Sequence, residues 1–249
     1  MNVNEMTTPI TGKRYWLIGA GDGLGKALAH CMSRAGIEVV VSSRSETKLA
    51  ALVAELPGKA SYQCVDISND ENVRAAAASV GKIDGLVLLA GVYWPFGATD
   101  WNADQATEMA DINFTGFMRV LGQVVPQFVA RNAGHILITS SLTGFRGLPK
   151  SIGYTASKAA TMSLAECMYA DLRKTGVRVQ VANPGFIKTQ LTEKNNFKMP
   201  FIMEPEDAAQ QIFDFMLTDR FKKSFPTLFS LLFRGSQFLP DWLYYRIFS

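Results

Sequence analysis

The sequence predicts an α/β fold: a parallel β-sheet, doubly wound with helices on both faces, in a single domain. Two observations point there. Short runs rich in β-branched and apolar residues alternate with longer amphipathic stretches along the 249 residues. These runs are almost continuously apolar, the pattern of strands buried on both faces. A third observation concerns punctuation: no repeat, low-complexity segment or Pro/Gly-rich linker divides the chain, so one core is expected.

Taken in order, six runs read as strands: "RYWLIGA" from Arg14, "EVVVSS" from Glu38, "SYQCVD" from Ser61, "GLVLLAG" from Gly85, "HILITSS" from His135 and "VRVQVANPG" from Val177. A helix opens at Gly23, and a second spans Ser45 to Glu55 with Ser45 as its N-cap. A third follows Asn69, a long one runs from about Ala103 to Asn132, and another spans Ala156 to Thr175. Pro126 removes a backbone donor from the long stretch and is expected to kink it, although the apolar spacing continues on both sides. The body of the domain is expected over about residues 14–220. Residues 221–249 then form a hydrophobic, aromatic C-terminal tail or lid.

Composition narrows the function classes. Hydrophobic residues make up 48% and charged residues 19%, the balance of a globular protein. Cys31, Cys64 and Cys167 are odd in number and widely spaced, which suggests a reducing compartment and three packed thiols. His30 and His135 have no partner in ligand register, so no metal site is expected. The start, "MNVNEMTTPITGKR", lacks the apolar core of a signal peptide. No apolar run approaches the roughly 20 residues that span a bilayer, and a cytoplasmic location is expected. The net charge of +3 resides in residues 221–249, while the rest balances at 21 basic and 21 acidic residues. A balanced body argues against nucleic acid as a partner.

In a doubly wound fold the ligand sits beyond the carboxyl ends of the strands, so those ends carry the functional reading. After the first comes "GAGDGLGK", in which Gly19, Gly23, Leu24 and Gly25 form a tight loop opening a helix. Such a loop lets backbone N–H groups approach a pyrophosphate. After the second comes "SSRS", where a dinucleotide fold selects its ribose; Ser43 and Arg44 stand there with no carboxylate, the arrangement that accepts a 2′-phosphate. Asp66, followed by Ile67, ends the third and could accept from an adenine amino group. Ala90 and Gly91 end the fourth and allow close approach of a flat ring. "TSSLTG" ends the fifth, where Ser140 and Ser141 could simply satisfy backbone groups. "NPGFIKT" ends the sixth.

One further stretch, "GYTASKAA", places Tyr154 and Lys158 one helical turn apart, on a shared face. A free phenol titrates near 10 and is a poor proton donor at neutral pH; a cation beside it lowers that value. Alone, the pair is an ordinary surface pair.

Together these motifs resemble the short-chain dehydrogenase/reductase family, in its compact single-domain, Rossmann-type branch. The resemblance covers about Arg14 to Phe215. It rests on the Gly19/Gly23/Gly25 loop, Asp66, "DINFTG", "SS" followed by "YTASK", and "NPGFIKT", with Ser141 thirteen residues before Tyr154. It implies a nicotinamide-dependent oxidoreductase acting on a carbonyl or alcohol, with NADP(H) favoured over NAD(H). It implies that Tyr154 exchanges the proton, that Lys158 lowers its pKa and bonds the nicotinamide ribose, and that Ser141 bonds the substrate oxygen. Asn113 would hold a water linking Lys158 to solvent. Pro184, Gly185, Ile187 and Thr189 would complete the cofactor site. The other class on this fold is a non-catalytic dinucleotide sensor or scaffold, which could lose the tetrad that this chain keeps. The longer epimerase and dehydratase relatives use different glycine spacing and an added substrate domain, for which little chain remains.

There are departures. Leu88-Leu89-Ala90-Gly91 stands where the family often has Asn-Asn-Ala-Gly, Ile18 replaces a threonine, and Asp22 would repel a 2′-phosphate unless paired with Arg44. The loops expected to line the substrate pocket carry Tyr93, Trp94, Phe96, Phe145, Phe186, Phe197 and Phe201, which suits a bulky hydrophobic ketone or alcohol. Residues 221–249 hold nine of the 27 aromatic residues. Leu228, Leu231 and Leu232 lie at helical spacing, Gly235 is a break, and a second apolar turn follows Pro240. The tail is expected to pack as a lid, to bury in a homo-oligomer (dimer or tetramer), or to contact a membrane weakly, with Lys222, Lys223 and Arg234 toward anionic lipid.

Overall fold

The structure, a computed structural model, describes residues 10–196 and 198–248. Among these, seven strands form one sheet: β1 (Arg14–Ile18), β2 (Glu38–Ser42), β3 (Ala60–Tyr62), β4 (Gly85–Leu88), β5 (Gly134–Thr139), β6 (Val177–Pro184) and β7 (Lys222–Phe225). All pairs are parallel, in the order β3-β2-β1-β4-β5-β6-β7. The helices are α1 (Gly23–Arg34), α2 (Glu46–Glu55), α3 (Asp70–Val80), α4 (Ala103–Ala110), α5 (Gly116–Ala130), α6 (Ile152–Leu172), α7 (Pro205–Met216), α8 (Thr227–Ser236) and α9 (Asp241–Phe248).

Successive strand residues point to opposite faces, and here both faces are buried. Tyr15, Leu17, Val39, Val41, Val87 and Leu137 pack under α1, α2 and α7. Trp16, Ile18, Val40, Leu86, Leu88 and Ile138 pack under α3, α5 and α6. Leu88, which stands where the family often has an asparagine, is thus a core residue. Phe117, Val120, Leu121, Val124 and Phe128 put one stripe of α5 into this second layer. Each such side chain contributes roughly 1.5–3 kcal/mol on burial. The Ser45 cap is present, its hydroxyl accepting from Lys48 N, and Asn69 and Asn102 cap α3 and α4 in the same way.

Four expectations change. The long stretch is interrupted by a π-helical turn at Asp111–Thr115, not at Pro126, which lies inside an uninterrupted α5. Helix α6 begins at Ile152 rather than Ala156, so Tyr154 lies within it, half-buried rather than exposed. Cys31 is buried and Cys64 partly so, but Cys167 is exposed. A seventh strand, "KKSF", extends the sheet within the segment read as tail. It pairs with β6 from Val181↔Lys222 to Pro184↔Phe225. Its lysines hide an edge strand from apolar patterning: Lys222 pairs with Glu166, and Lys223 bonds Gln211 O.

At the amino ends of the strands lies a buried polar cluster. Gln180 spends its amide N–H groups on the carbonyls of Phe215, Thr218 and Arg220, so its Oε1 must accept from His135 Nε2 at 2.8 Å. His135 Nδ1 then accepts from Tyr15 Oη at 2.8 Å and Arg178 Nη2 at 3.1 Å. Burial, with Arg178 beside it, depresses the His135 pKa to about 3. Below the unfolded value near 6.5 the unfolded chain takes up a proton that the folded one refuses. Stability therefore falls as pH drops through that window. His135→Gln should lower stability at pH 7 yet lose this share, up to about 1.4 kcal/mol per pH unit, of the acid slope. Urea midpoints between pH 7 and 4 measure it.

Candidate active site

Strand β1 sits mid-sheet, between β2 and β4. The chain leaves β1 for β2 and β3 on one side, then returns to β4 and β5 on the other, and a cleft opens where these directions diverge. Its volume is about 490 Å³. Gly19 takes φ +93°, and a Cβ there would lie 2.4 Å from Ala90 N. A Cβ on Gly25 would lie 2.1 Å from Gly19 O. Only glycine fits at either position, so the cleft floor is bare backbone. The N-cap of α1, Asp22, makes no side-chain cap bond and its first turn carries no acidic residue, leaving the helix N–H groups available to an anion.

All sixteen residues expected to hold the cofactor line this cleft: Gly19, Gly23, Leu24, Gly25, Ser43, Arg44, Asp66, Ile67, Ala90, Gly91, Tyr154, Lys158, Pro184, Gly185, Ile187 and Thr189. Asp66 accepts from Ser68 N and Ser68 Oγ at 3.0 and 2.7 Å. Burial acts to raise its pKa, but these bonds with Arg44 and Arg119 hold it below its ordinary value. Asp22 pairs not with Arg44 but with Lys48, at 2.7 Å. Lys48 was missed because "SETK" reads as a helix start; its position one turn into α2 turns it toward the glycine loop. Arg44 is exposed and has no ion-pair partner among the described residues.

The tetrad divides. Tyr154 and Lys158 face the cleft, while Ser141 and Asn113 are buried beside and beneath it. Asn113 sits in the π-helical turn. Its Oδ1 accepts from Val92 N at 2.8 Å, and its Nδ2 lies 3.0 Å from Val92 O and 3.1 Å from Ser157 Oγ. Its carbonyl accepts from Thr161 Oγ1 at 3.0 Å. The side chain thus braces the loop after β4, and a water relay would have to use the carbonyl's second lone pair. Ser140 Oγ donates to Lys158 O at 2.6 Å, a backbone role. Ser141 Oγ accepts from Thr143 N at 3.2 Å and donates to Pro184 O at 3.5 Å.

Lys158 is buried and Tyr154 half-buried, and loss of water governs the electrostatics of both. Burial raises the Tyr154 pKa to about 12 against the Ser141 hydrogen bond, with Tyr93 adding to the rise. Burial lowers Lys158 to about 8. Its Nζ donates to Thr139 O at 3.0 Å and lies 5.8 Å from the Tyr154 ring centre. For both groups desolvation is the largest cause.

Of the aromatic residues expected around the substrate, Trp94 lines the cleft and Tyr93 packs edge-on against Tyr154 at 5.1 Å. Phe96 is buried against Trp101, and Phe186 and Phe201 pack on Phe229. Phe197 lies outside the described residues. Lys194, absent from the sequence reading, bridges the mouth: its Nζ bonds Tyr93 O at 2.8 Å and sits 4.3 Å over the Trp94 ring. No spacing signal marks it, because the bridged loops are a hundred residues apart in sequence. Among the described residues no group of three or more His, Cys, Asp or Glu could hold a metal ion.

The family model for short chain dehydrogenase matches residues 13–199. The chain belongs to the short-chain dehydrogenase/reductase family. An uncharacterized oxidoreductase of Myxococcus xanthus is 36% identical over 233 residues, spanning 91% of this chain and 92% of that one. A solved short chain dehydrogenase/reductase family protein has a TM-score of 0.80 at 24% identity, over 87% of this chain and 97% of its own. An actinorhodin polyketide ketoreductase solved with NADPH has a TM-score of 0.77 at 21% identity, over 86% and 95%. This short-chain dehydrogenase/reductase is accordingly a nicotinamide-dependent oxidoreductase.

A buried ammonium with a depressed pKa burdens the fold. Below pH 8 both folded and unfolded chains carry the Lys158 proton, and the penalty is complete. Between about 8 and the unfolded value near 10.5 the folded state sheds it and stability recovers. Lys158→Met should stabilise the cofactor-free protein at pH 7 by roughly 2–3 kcal/mol, an advantage that shrinks toward pH 10. Denaturant titrations at the two pH values test this.

Proposed function

We propose that this enzyme reduces a carbonyl compound with NADP(H), Tyr154 giving the proton. The observation that carries the reading is the convergence of Tyr154 and Lys158 on the glycine-floored cleft. The cofactor, when bound, supplies the hydride. A carbonyl carbon receiving it would leave the C=O pair on the oxygen as an alkoxide, and the side chains here suit that charge. Burial holds Tyr154 as the neutral phenol, the form that donates. Ser141 acts on the same phenol, so a substrate oxygen at Tyr154 Oη would meet both hydroxyls, an oxyanion contact that strengthens as charge develops. Lys158 Nζ lies beneath Gly91, 3.8 Å from where a Cβ would be. From there it can bond the cofactor ribose and, as an ammonium, stabilise the phenolate left after proton transfer. Trp94, with Tyr93 behind it, gives the mouth an apolar wall, which favours a hydrophobic substrate.

Tyr154→Phe keeps the ring and removes the proton. It should lower kcat by about a hundredfold or more while nicotinamide binding stays near wild type. Assays use a carbonyl panel, with cofactor binding followed by fluorescence. Unchanged turnover would refute the role.

The preference for NADP(H) rests on two cations. Arg44 is free to pair with a 2′-phosphate by charge-assisted bonds. Lys48 neutralises the carboxylate of Asp22, which would otherwise repel it. Arg44→Ala should weaken NADP(H) by about tenfold and leave NAD(H) nearly unchanged. Lys48→Ala should erode the same preference by uncovering Asp22, and the double variant Lys48→Ala/Asp22→Ser should recover part of it. Calorimetric titration of both cofactors decides this, and equal affinities unchanged by Arg44→Ala would overturn the assignment.

A further inference from the structure

Helices α8 and α9 are clamped to the body through the loop after β5. Arg146 donates to Ser236 O and Leu239 O at 2.6 and 2.7 Å, pairs with Asp241 at 2.6 Å, and lies 3.9 Å over the Tyr244 ring. Tyr244 Oη donates to Gly147 O at 2.7 Å, and Phe229 and Tyr244 are buried. The segment neither hangs free nor lines the cleft. Yet fixing its inner side leaves its outer side bare. Leu228, Leu231 and Leu232, at i, i+3 and i+4 on α8, are 54–68% exposed. Phe238 is 88% exposed and Trp242 69%, with Tyr245 and Ile247 also more than half exposed.

This is far more apolar side chain than a protein leaves to water by chance. Charge selects the occupant. Arg234 and Arg246 are exposed on the same two helices and neither has an ion-pair partner among the described residues. The single carboxylate between residues 227 and 248, Asp241, is already paired with Arg146. Two copies meeting through this face would bring four arginines together with no free carboxylate from these helices to answer them. An anionic surface answers them at once. Lys222 and Lys223, by contrast, are engaged with Glu166 and Gln211 and are not available. No helix among the described residues is long and apolar enough to cross a membrane, so the helices would lie in the surface rather than span it. Trp242 and Tyr245 are the side chains that settle at headgroup depth.

We infer that the outer face of α8 and α9 docks this enzyme onto anionic lipid bilayers, with Leu228, Leu231, Leu232, Phe238 and Trp242 inserted and Arg234 and Arg246 at the headgroups. The inference is independent of the catalytic roles. The test is sedimentation of the full chain with vesicles of phosphatidylcholine alone or mixed with phosphatidylglycerol, at low and high salt. Wild type should pellet with the mixed vesicles at low salt and be released by high salt. Leu231→Ser/Leu232→Ser and Arg234→Gln/Arg246→Gln should each weaken binding by about tenfold, with NADP(H) binding retained as the sign of an intact fold. Absence of binding to mixed vesicles at low salt, or equal binding to both kinds, overturns the proposal. A wild-type dimer in sedimentation velocity that Leu231→Ser/Leu232→Ser dissociates, with no vesicle binding, would assign the face to a second copy instead.

Discussion

The parallel pairing of β1 with β4 is the contact on which the rest of this molecule depends. It runs from Tyr15↔Gly85 to Ile18↔Leu88 and continues past the strands, where Leu89 N and Ala90 N both donate to Ile18 O at 2.8 and 2.9 Å. The loops leaving β1 and β4 are thereby stitched together before they part to opposite faces. That close approach is why Gly19 admits no side chain, and why the cleft floor is backbone. Any atom that pried these loops apart would cost the sheet its central pair and the site its shape together.

Beneath the cleft, polar groups do the positioning that apolar packing cannot. Asn113 ties the π-helical turn to Val92 and to Ser157 on α6, Thr161 ties α6 back to Asn113 O, and Ser140 ties β5 to Lys158 O. With these bonds made, α6 cannot slide against β5 without orphaning buried groups, each costing about 1–3 kcal/mol. The rigidity serves two side chains that are unhappy where they stand. Lys158 is desolvated and finds only the Thr139 carbonyl and the faces of Phe117 and Tyr154. Tyr154 is pushed away from ionisation. A ligand that brings hydroxyls to the first and a developing negative charge to the second relieves both, which is what differential stabilisation of a transition state requires.

What could be read in the sequence follows what each feature rests on. Five of the six strands were legible because burial on both faces writes itself as continuous apolar runs. The edge strand β3, with Ser61 and Tyr62 exposed, was legible only through the buried Val65 that follows it. Strand β7 was not, because an edge strand needs only one good face and Lys222 and Lys223 can cover apolar surface with their stems. The glycine loop and the Tyr154/Lys158 turn were legible because their geometry is local, set by spacing of a few residues. The partner of Asp22 was not: the sequence offered Arg44, and only the folded first turn of α2 brings Lys48 to the glycine loop. The lysine bridge from Lys194 to Tyr93 joins loops distant in sequence, and no pattern announces it. The rise that burial imposes on the Tyr154 pKa was not legible either, because spacing says that two side chains share a face but not how much water they lose.

The C-terminal helices show the same limit in another form. Their composition told that apolar surface exceeds what water tolerates, but composition has no direction. Helices of ten and eight residues are too short to stand alone, so their orientation comes from outside them. Arg146 supplies it by capturing the carbonyl end of α8 and the first carboxylate of α9 with one guanidinium. A planar, five-donor group is suited to that task where a lysine's point charge is not. By fixing the turn between the helices, Arg146 sets which sides of α8 and α9 stay exposed, those that carry Leu228, Leu231 and Leu232 and, past the turn, Phe238 and Trp242. The exposed face is therefore a product of the same buried clamp that holds the segment down, and loosening the clamp would scatter the face rather than hide it.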